Sequence, residues 1–295
     1  MDERRQRRAC IIGAGVAGLV TAKVVKNDGF HVSIFEKNAT VGGVWAPTRA
    51  YPGLRTNNPR ETYAFSDFPY PETTGDFPTA SQVMDDLASY AEHFRLTPHL
   101  HLDTEILSVS RTAAKSNAPH AGFEVRSRRV YASADETRQH FDFVVICNGV
   151  FSVPRLPQID GIQRFAGPVL HSSQIRKPDV LRGQRVVVVG AGKSALDCAS
   201  FAAKEGTSST LVFRSPHWML PRYIGRVRVD RFAFLRVSVA PYYPPYHAVG
   251  RTERALRAVA APLLWLGRKA ASRLVVRLSG MPAVMVPDYP HVAGA

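Results

Sequence analysis

A chain of 295 residues with 45% apolar content is long enough to build two hydrophobic cores of ordinary domain size. Its formal charge of +14 is strongly basic, yet no nucleic-acid-binding motif accompanies that charge, and no apolar run reaches the roughly 18 residues that a membrane span needs. Cys10, Cys147 and Cys198 show neither C-x-x-C nor metal-ligand spacing, which excludes a redox-active cysteine pair and points to structural thiols in a reducing cytoplasm.

Arg4, Arg5, Arg7 and Arg8 suggest a targeting peptide, but Asp2 and Glu3 accompany them and a strand begins at once, so they read as a solvated basic lead-in. The strand-like run Ala9–Ile12 follows at once and opens into Gly13-Ala14-Gly15-Val16-Ala17-Gly18. In a turn of this kind the first glycine makes the strand-to-helix bend and the second admits a pyrophosphate close to the backbone. The third lets the helix pack on the strand, and the helix amino terminus then faces the phosphates. A second strand, His31–Phe35, ends at Glu36, where a carboxylate accepts ribose hydroxyls and repels a 2'-phosphate. The first turn therefore reads as a site for FAD or NAD.

Val41-Gly42-Gly43-Val44-Trp45 leads into a Pro-, Tyr- and Phe-rich loop reaching about Thr79, long enough to be functional. Helical spacing runs from Ser81, the expected N-cap, to Phe94, with Val83, Leu87, Tyr90, Ala91 and Phe94 on one stripe. Short alternating runs at Ile106–Val109 and Phe123–Arg126 predict an antiparallel meander, and Phe141–Ile146 a buried strand returning to the first sheet. Gly149, Pro154 and Pro157 mark the exit from a first domain, 1–155, into a second, 156–295.

Val186–Val189 introduces the second glycine turn, Gly190-Ala191-Gly192-Lys193-Ser194-Ala195, in which alanine takes the third glycine's place. Its following strand, Thr210–Phe213, ends at Arg214, whose guanidinium suits a phosphate better than a hydroxyl. This turn reads as a site for NADP. Beyond it the chain is dominated by arginine. From Gly250 to Gly280, basic residues alternate with Leu, Val, Ala and Trp265, which fits either a basic amphipathic helix on anionic lipid or a helical insertion with one face on a core. Pro262 and Gly267 are expected to break it into pieces. The fold expected is α/β, with two Rossmann-like dinucleotide-binding domains of the three-layer ββα type. The first carries the meander, and the second a basic helical insertion at about 225–280.

Phe165, Gly167 and His171, just before the second turn, resemble the F-x-G-x-x-x-H stretch that identifies the flavin-containing monooxygenases, although Ile175 stands where the family has an aromatic residue. Gly42-Gly43-Val44-Trp45 is similar to the family's G-G-x-W. Thr56-Asn57-Asn58-Pro59-Arg60-Glu61 with Asp67-Phe68-Pro69 is similar to its T-N-x-x-K-E and D-F-P segments, and Cys147-Asn148-Gly149 to its A-T-G hinge. The resemblance covers about residues 8 to 290. It implies FAD at the first turn, with Gly43 allowing close flavin approach, Trp45 covering the flavin and Asn57 hydrogen bonding beside it as the catalytic residue. It implies NADPH at the second turn, held by Gly190, Gly192, Ser194, Ala195 and Arg214. His171 is expected to shape the interdomain hinge.

The family's chemistry implies that NADPH reduces FAD, that O2 forms a C4a-hydroperoxyflavin, and that a small nitrogen or sulfur nucleophile, or a carbonyl in the Baeyer–Villiger branch, accepts one oxygen atom. Relatives continue into a segment that returns to the flavin domain with a late Gly-Asp pair. Here the only such pair is Gly75-Asp76, so a missing return segment and uncovered apolar sheet surface are expected, with dependence on a partner chain or an oligomer. Two other functions stay open at this stage: a catalytically silent nucleotide-binding or interaction fragment, and a flavoprotein that oxidises NADPH and merely releases peroxide.

Overall fold

Branched apolar strands on either side of a helix pair in parallel, and the first 35 residues do so in the computed structural model, which describes residues 6–113, 121–132, 136–215, 217, 221–233 and 250–279. β1 (Arg8–Ile12), α1 (Val16–Asn27) and β2 (His31–Phe35) form the first crossover unit. α2 (Ala80–His93) leads to β3 (Leu100–His101), and the parallel sheet has the order β3-β2-β1-β7, where β7 is Phe143–Ile146. A meander of β4 (Thr104–Arg111), β5 (Phe123–Arg129) and β6 (Glu136–Phe141) pairs antiparallel.

Strand alternation sends each face of this sheet to a different neighbour. Ala9, Ile11, Val32 and Ile34 pack with Leu19 and Ala22 of α1 and with Val83, Leu87, Tyr90 and Ala91 of α2. Cys10 and Phe35 pack instead with Val125 and Phe141 of the meander, and burial pushes the Cys10 thiol up to about 12, so it serves as a small core residue. Helices, parallel sheet and meander thus make three layers, as the sequence implies.

Two boundaries differ from those read in the sequence. The helix begins one residue earlier than expected and its N-cap is Thr79, not Ser81: Thr79 Oγ1 accepts from Gln82 N at 3.2 Å while Gln82 Oε1 accepts from Thr79 N at 3.0 Å. Ser81 only bonds the Thr79 hydroxyl, at 2.9 Å. Thr79→Ala should therefore lower stability by about 1 kcal/mol in denaturant titration, whereas Ser81→Ala should leave it nearly unchanged. Phe141–Ile146 is not one buried strand. Asp142 divides it, its N–H donating to Arg8 O at 2.9 Å and its Oδ2 accepting from Arg8 N at 2.7 Å. The chain ends the meander there and starts β7, a half-buried edge strand in which Ile146 is 67% exposed.

Contacts divide the chain into two units, Met1–Lys177 and Pro178–Ala295. The connecting segment that follows β7 belongs to the first unit, and Arg49 Nη2 donates to Phe151 O within it at 2.5 Å. In the second unit β8 (Arg185–Val189), α3 (Lys193–Glu205) and β9 (Ser208–Val212) form one parallel crossover unit, whose strand stops at Val212 rather than Phe213. One face of this strand pair packs on α3, while Val187, Val189 and Val212 of the other face are exposed.

The region expected to be a helical insertion from about 225 opens instead as a hairpin, β10 (Tyr223–Ile224) and β11 (Val227–Arg228), followed by the short α4 (Asp230–Ala233). Arg228 holds Asp230 through two parallel bonds of 3.0 and 2.8 Å. α5 (Arg251–Ser279) then runs 29 residues without interruption at Pro262 or Gly267. A proline removes its own N–H from the ladder and presses its ring on the carbonyl four residues back, yet the helix continues through Pro262.

Candidate nucleotide-binding site

At Gly13 and Gly18 the first glycine turn is packed so tightly that a side chain is excluded. Gly13 has φ +105°, and a methyl group on it would sit against the Cys147 carbonyl, 3.0 Å from the carbonyl carbon. One on Gly18 would overlap the Gly13 carbonyl, 2.9 Å from its carbon, so α1 packs onto the turn only because Gly18 has no Cβ. Gly15 is the N-cap of α1 and offers no side chain to its N–H groups, leaving the amino terminus open to an anion.

Glu36 is 6% exposed and fastens the turn to β2. Its Oε2 accepts from Ala14 N at 2.9 Å, and its Oε1 from Asn38 N at 2.9 Å and Asn38 Nδ2 at 2.5 Å. A carboxylate has about four lone-pair sites, so three donors leave room for one more. Asn38 was not singled out in the sequence, though an asparagine two residues past an acidic strand end is a usual local hydrogen-bonding partner.

Gly42 and Gly43 close the site from another direction. Gly42 N donates to Ala14 O at 3.0 Å, and a methyl group on Gly43 (φ +58°) would sit 3.2 Å from Gly15 Cα. The sequence assigned Gly43 to flavin approach; its immediate neighbour in the structure is the backbone of the phosphate turn. Trp45 ends the 3-10 turn Gly43–Trp45, packs partly buried against the main core and meets Tyr63 edge to face at 6.2 Å.

Asn57 is not brought into this cluster by any bond of its side chain, which is exposed. Its loop is held on both sides: Thr56 N donates to Pro78 O at 3.0 Å, and Arg60 Nη1 donates to Glu72 O at 3.0 Å and also to Thr74 O. The D-F-P segment anchors the same loop. Asp67 pairs with Lys23 of α1, whose ammonium holds the carboxyl below the usual aspartate range, while Phe68 packs 5.6 Å from Tyr90 and 6.1 Å from Phe94.

The second turn repeats the backbone with looser packing. Gly190 has φ +132°, Gly192 is the N-cap of α3, and a methyl group on Gly192 would meet open space. Ala195 fits where Gly18 is obligatory in the first turn, its Cβ lying 3.4 Å from a methyl group placed on Gly190. Ser194 is exposed, and Lys193 pairs with Asp197 one helical turn on. Arg214 lies two residues past the end of β9 and is exposed. His171, in the first unit, N-caps the 3-10 turn Ser172–Gln174, with Nδ1 accepting from Ser173 N at 3.2 Å. Of its motif partners, Gly167 lies under the Phe165 ring, where an added methyl group would sit 2.8 Å from a ring carbon. Among the described residues no set of three His, Cys, Asp or Glu side chains forms a metal site.

The sequence profile described as flavin-binding monooxygenase-like matches residues 6–229. The chain is 32% identical over 226 residues to dimethylaniline monooxygenase (N-oxide-forming) 4 of Mus musculus, covering 73% of this chain and 40% of that protein. The solved S-allyl-L-cysteine S-oxygenase of Allium sativum superposes with a TM-score of 0.63 at 28% identity, over 75% of this chain and 54% of that one. OTEMO in complex with FAD and NADP superposes with a TM-score of 0.60 at 25% identity, over 73% and 40%. The chain thus spans about half or less of the length of these relatives.

Proposed function

Because the chain belongs to the flavin-binding monooxygenase-like family, we propose that it takes FAD at the Gly13–Gly18 turn and NADPH at the Gly190–Ala195 turn, and so serves transfer of one oxygen atom from O2 to a small nitrogen or sulfur nucleophile or to a carbonyl. The observation that carries this reading is the first turn itself: Gly13 and Gly18, where an added methyl group would strike a backbone carbonyl, and Gly15 as an N-cap without a side chain, closed by a buried carboxylate and opening on an uncapped helix terminus. That cradle fits a pyrophosphate next to an unphosphorylated ribose. Bound FAD, reduced by NADPH, would supply the electrons that activate O2 for transfer to the substrate.

The chain's own residues then have separable tasks. The N–H groups at the start of α1 and α3 hold phosphates, and Glu36 keeps one acceptor site for a ribose hydroxyl while fixing Ala14. Asn57, exposed on an anchored loop, would donate to a flavin or nicotinamide carbonyl, and Trp45 would shield the flavin from water. The free thiols support a cytoplasmic setting.

Arg214 is the sharpest discriminator, because its guanidinium past β9 is exposed and available to a 2'-phosphate. Arg214→Ala is expected to weaken NADPH binding by about 1.5 to 3 kcal/mol while leaving NADH binding nearly unchanged, read by titration of each nucleotide. Equal losses for the two would reject the arginine's role. For the reading as a whole, protein that stays colourless with added FAD and consumes no NADPH would overturn it. Peroxide formed in equal amount to NADPH consumed, with amines, sulfides and ketones all present, would replace oxygenation by simple NADPH oxidation.

A further inference from the structure

α5 carries six arginines and one lysine against a single glutamate. With side chains recurring every 3.6 residues, Ala255, Val259, Leu263, Leu266 and Ala270 share one stripe, and all five are exposed. Val259 is 79% exposed, Leu263 75% and Leu266 58%. Arg251 precedes this stripe by one turn and Arg273 and Arg277 continue it, all three exposed, so the apolar section has cations at both ends. Trp265 lies at its flank, 48% exposed, with the Lys269 ammonium 3.9 Å from the ring centroid.

The apolar section is about 22 Å long at 1.5 Å per residue, and no described helix is long and apolar enough to cross a membrane. Aliphatic side chains left in water lose about 25 cal/mol for each Å² that could be buried. A second copy of the same helix is a poor cover, because its identical cations would repel. A negatively charged bilayer surface satisfies both features at once: the aliphatic stripe enters the acyl boundary, while the long arginine and lysine stems extend toward the phosphates and the indole sits at headgroup depth.

We propose that α5 is a peripheral membrane anchor lying in the plane of an anionic bilayer, with Val259, Leu263 and Leu266 toward the acyl chains and Arg251, Arg273 and Arg277 at the lipid phosphates. The test is co-sedimentation of the full chain with vesicles of phosphatidylcholine containing about 30% phosphatidylserine, against vesicles of phosphatidylcholine alone. Binding should be at least about tenfold stronger to the anionic vesicles and should collapse in high salt. Arg273→Gln with Arg277→Gln should weaken it about 30-fold, and Leu263→Gln with Leu266→Gln at least about tenfold, with the circular dichroism spectrum unchanged. The tryptophan emission of the wild type should shift to the blue on anionic vesicles, and that shift should vanish in Trp265→Phe. Equal binding to both kinds of vesicle, no binding to either, or indifference to the arginine substitutions overturns the proposal. So does a lipid-free dimer that the leucine substitutions dissolve, which would make a second copy the occupant.

Discussion

Gly18→Ala is expected to abolish flavin retention and to unfold the first unit at a distinctly lower temperature. The added methyl group overlaps a backbone carbonyl, not the movable end of a side chain, so the amino end of α1 must leave the turn and the main core with it. Overpacking of this kind costs about 3 kcal/mol at the upper end of its usual range, which corresponds to a drop in Tm of roughly 6 to 12 °C for a domain of this size. Displacing the helix terminus from the phosphates by the same free energy weakens FAD binding about a hundredfold. The measurements are flavin absorbance of the purified protein and thermal unfolding followed by circular dichroism. Gly192→Ala is the matched control in the second turn: φ there is −76° and the added methyl meets open space, so Tm should stay within a degree or two while NADPH binding falls. A Gly18→Ala protein that remains yellow and equally stable would show that the turn yields easily and that its glycine is not what seats the helix.

The second large effect concerns Asp86, a carboxylate on the buried face of α2 and only 7% exposed. Removal from water pushes its carboxyl up to about 6, and the same carboxylate adds to the burial that holds Tyr70 at about 12. Because the folded state keeps a proton that the unfolded chain releases near pH 4, the stabilisation is fully present below about pH 4 and is lost as the pH rises through about 6. Two pH units correspond to at most about 3 kcal/mol. Asp86→Asn removes the ionisation, so its stability should match the wild type near pH 4 and exceed it by about 2 to 3 kcal/mol at pH 8, read from paired urea titrations. A difference that is the same at both pH values would mean that Asp86 is hydrated when folded.

Local chemistry and nearby spacing made the first crossover unit legible. A glycine turn between an apolar strand and a helix leaves few alternatives, and Gly13, Gly15, Gly18 and Glu36 lie where their spacing places them. The helical stripe of α2 was equally plain, since burial on one face imposes the 3.6-residue repeat. Its N-cap was not, because Thr79 and Ser81 are both competent caps and only the reciprocal bond with Gln82 selects between them. Pro262 carried the opposite lesson: its low helix propensity is real, but a 29-residue ladder absorbs one missing bond.

What the amino-acid order determined by itself was the pair of glycine turns, the charge that follows each second strand and the strand and helix periodicities, all of which depend on neighbours within a few dozen residues. Tertiary structure alone decided that Asp142 splits an apolar run by bonding Arg8 from 134 residues away, that Gly43 stands against Gly15, and that Glu36 reaches back to accept from Ala14 N. It also decided that the stripe on α5 faces water. Contacts of that kind are set by how layers pack, and no periodicity along the chain records which distant backbone will fill a given gap.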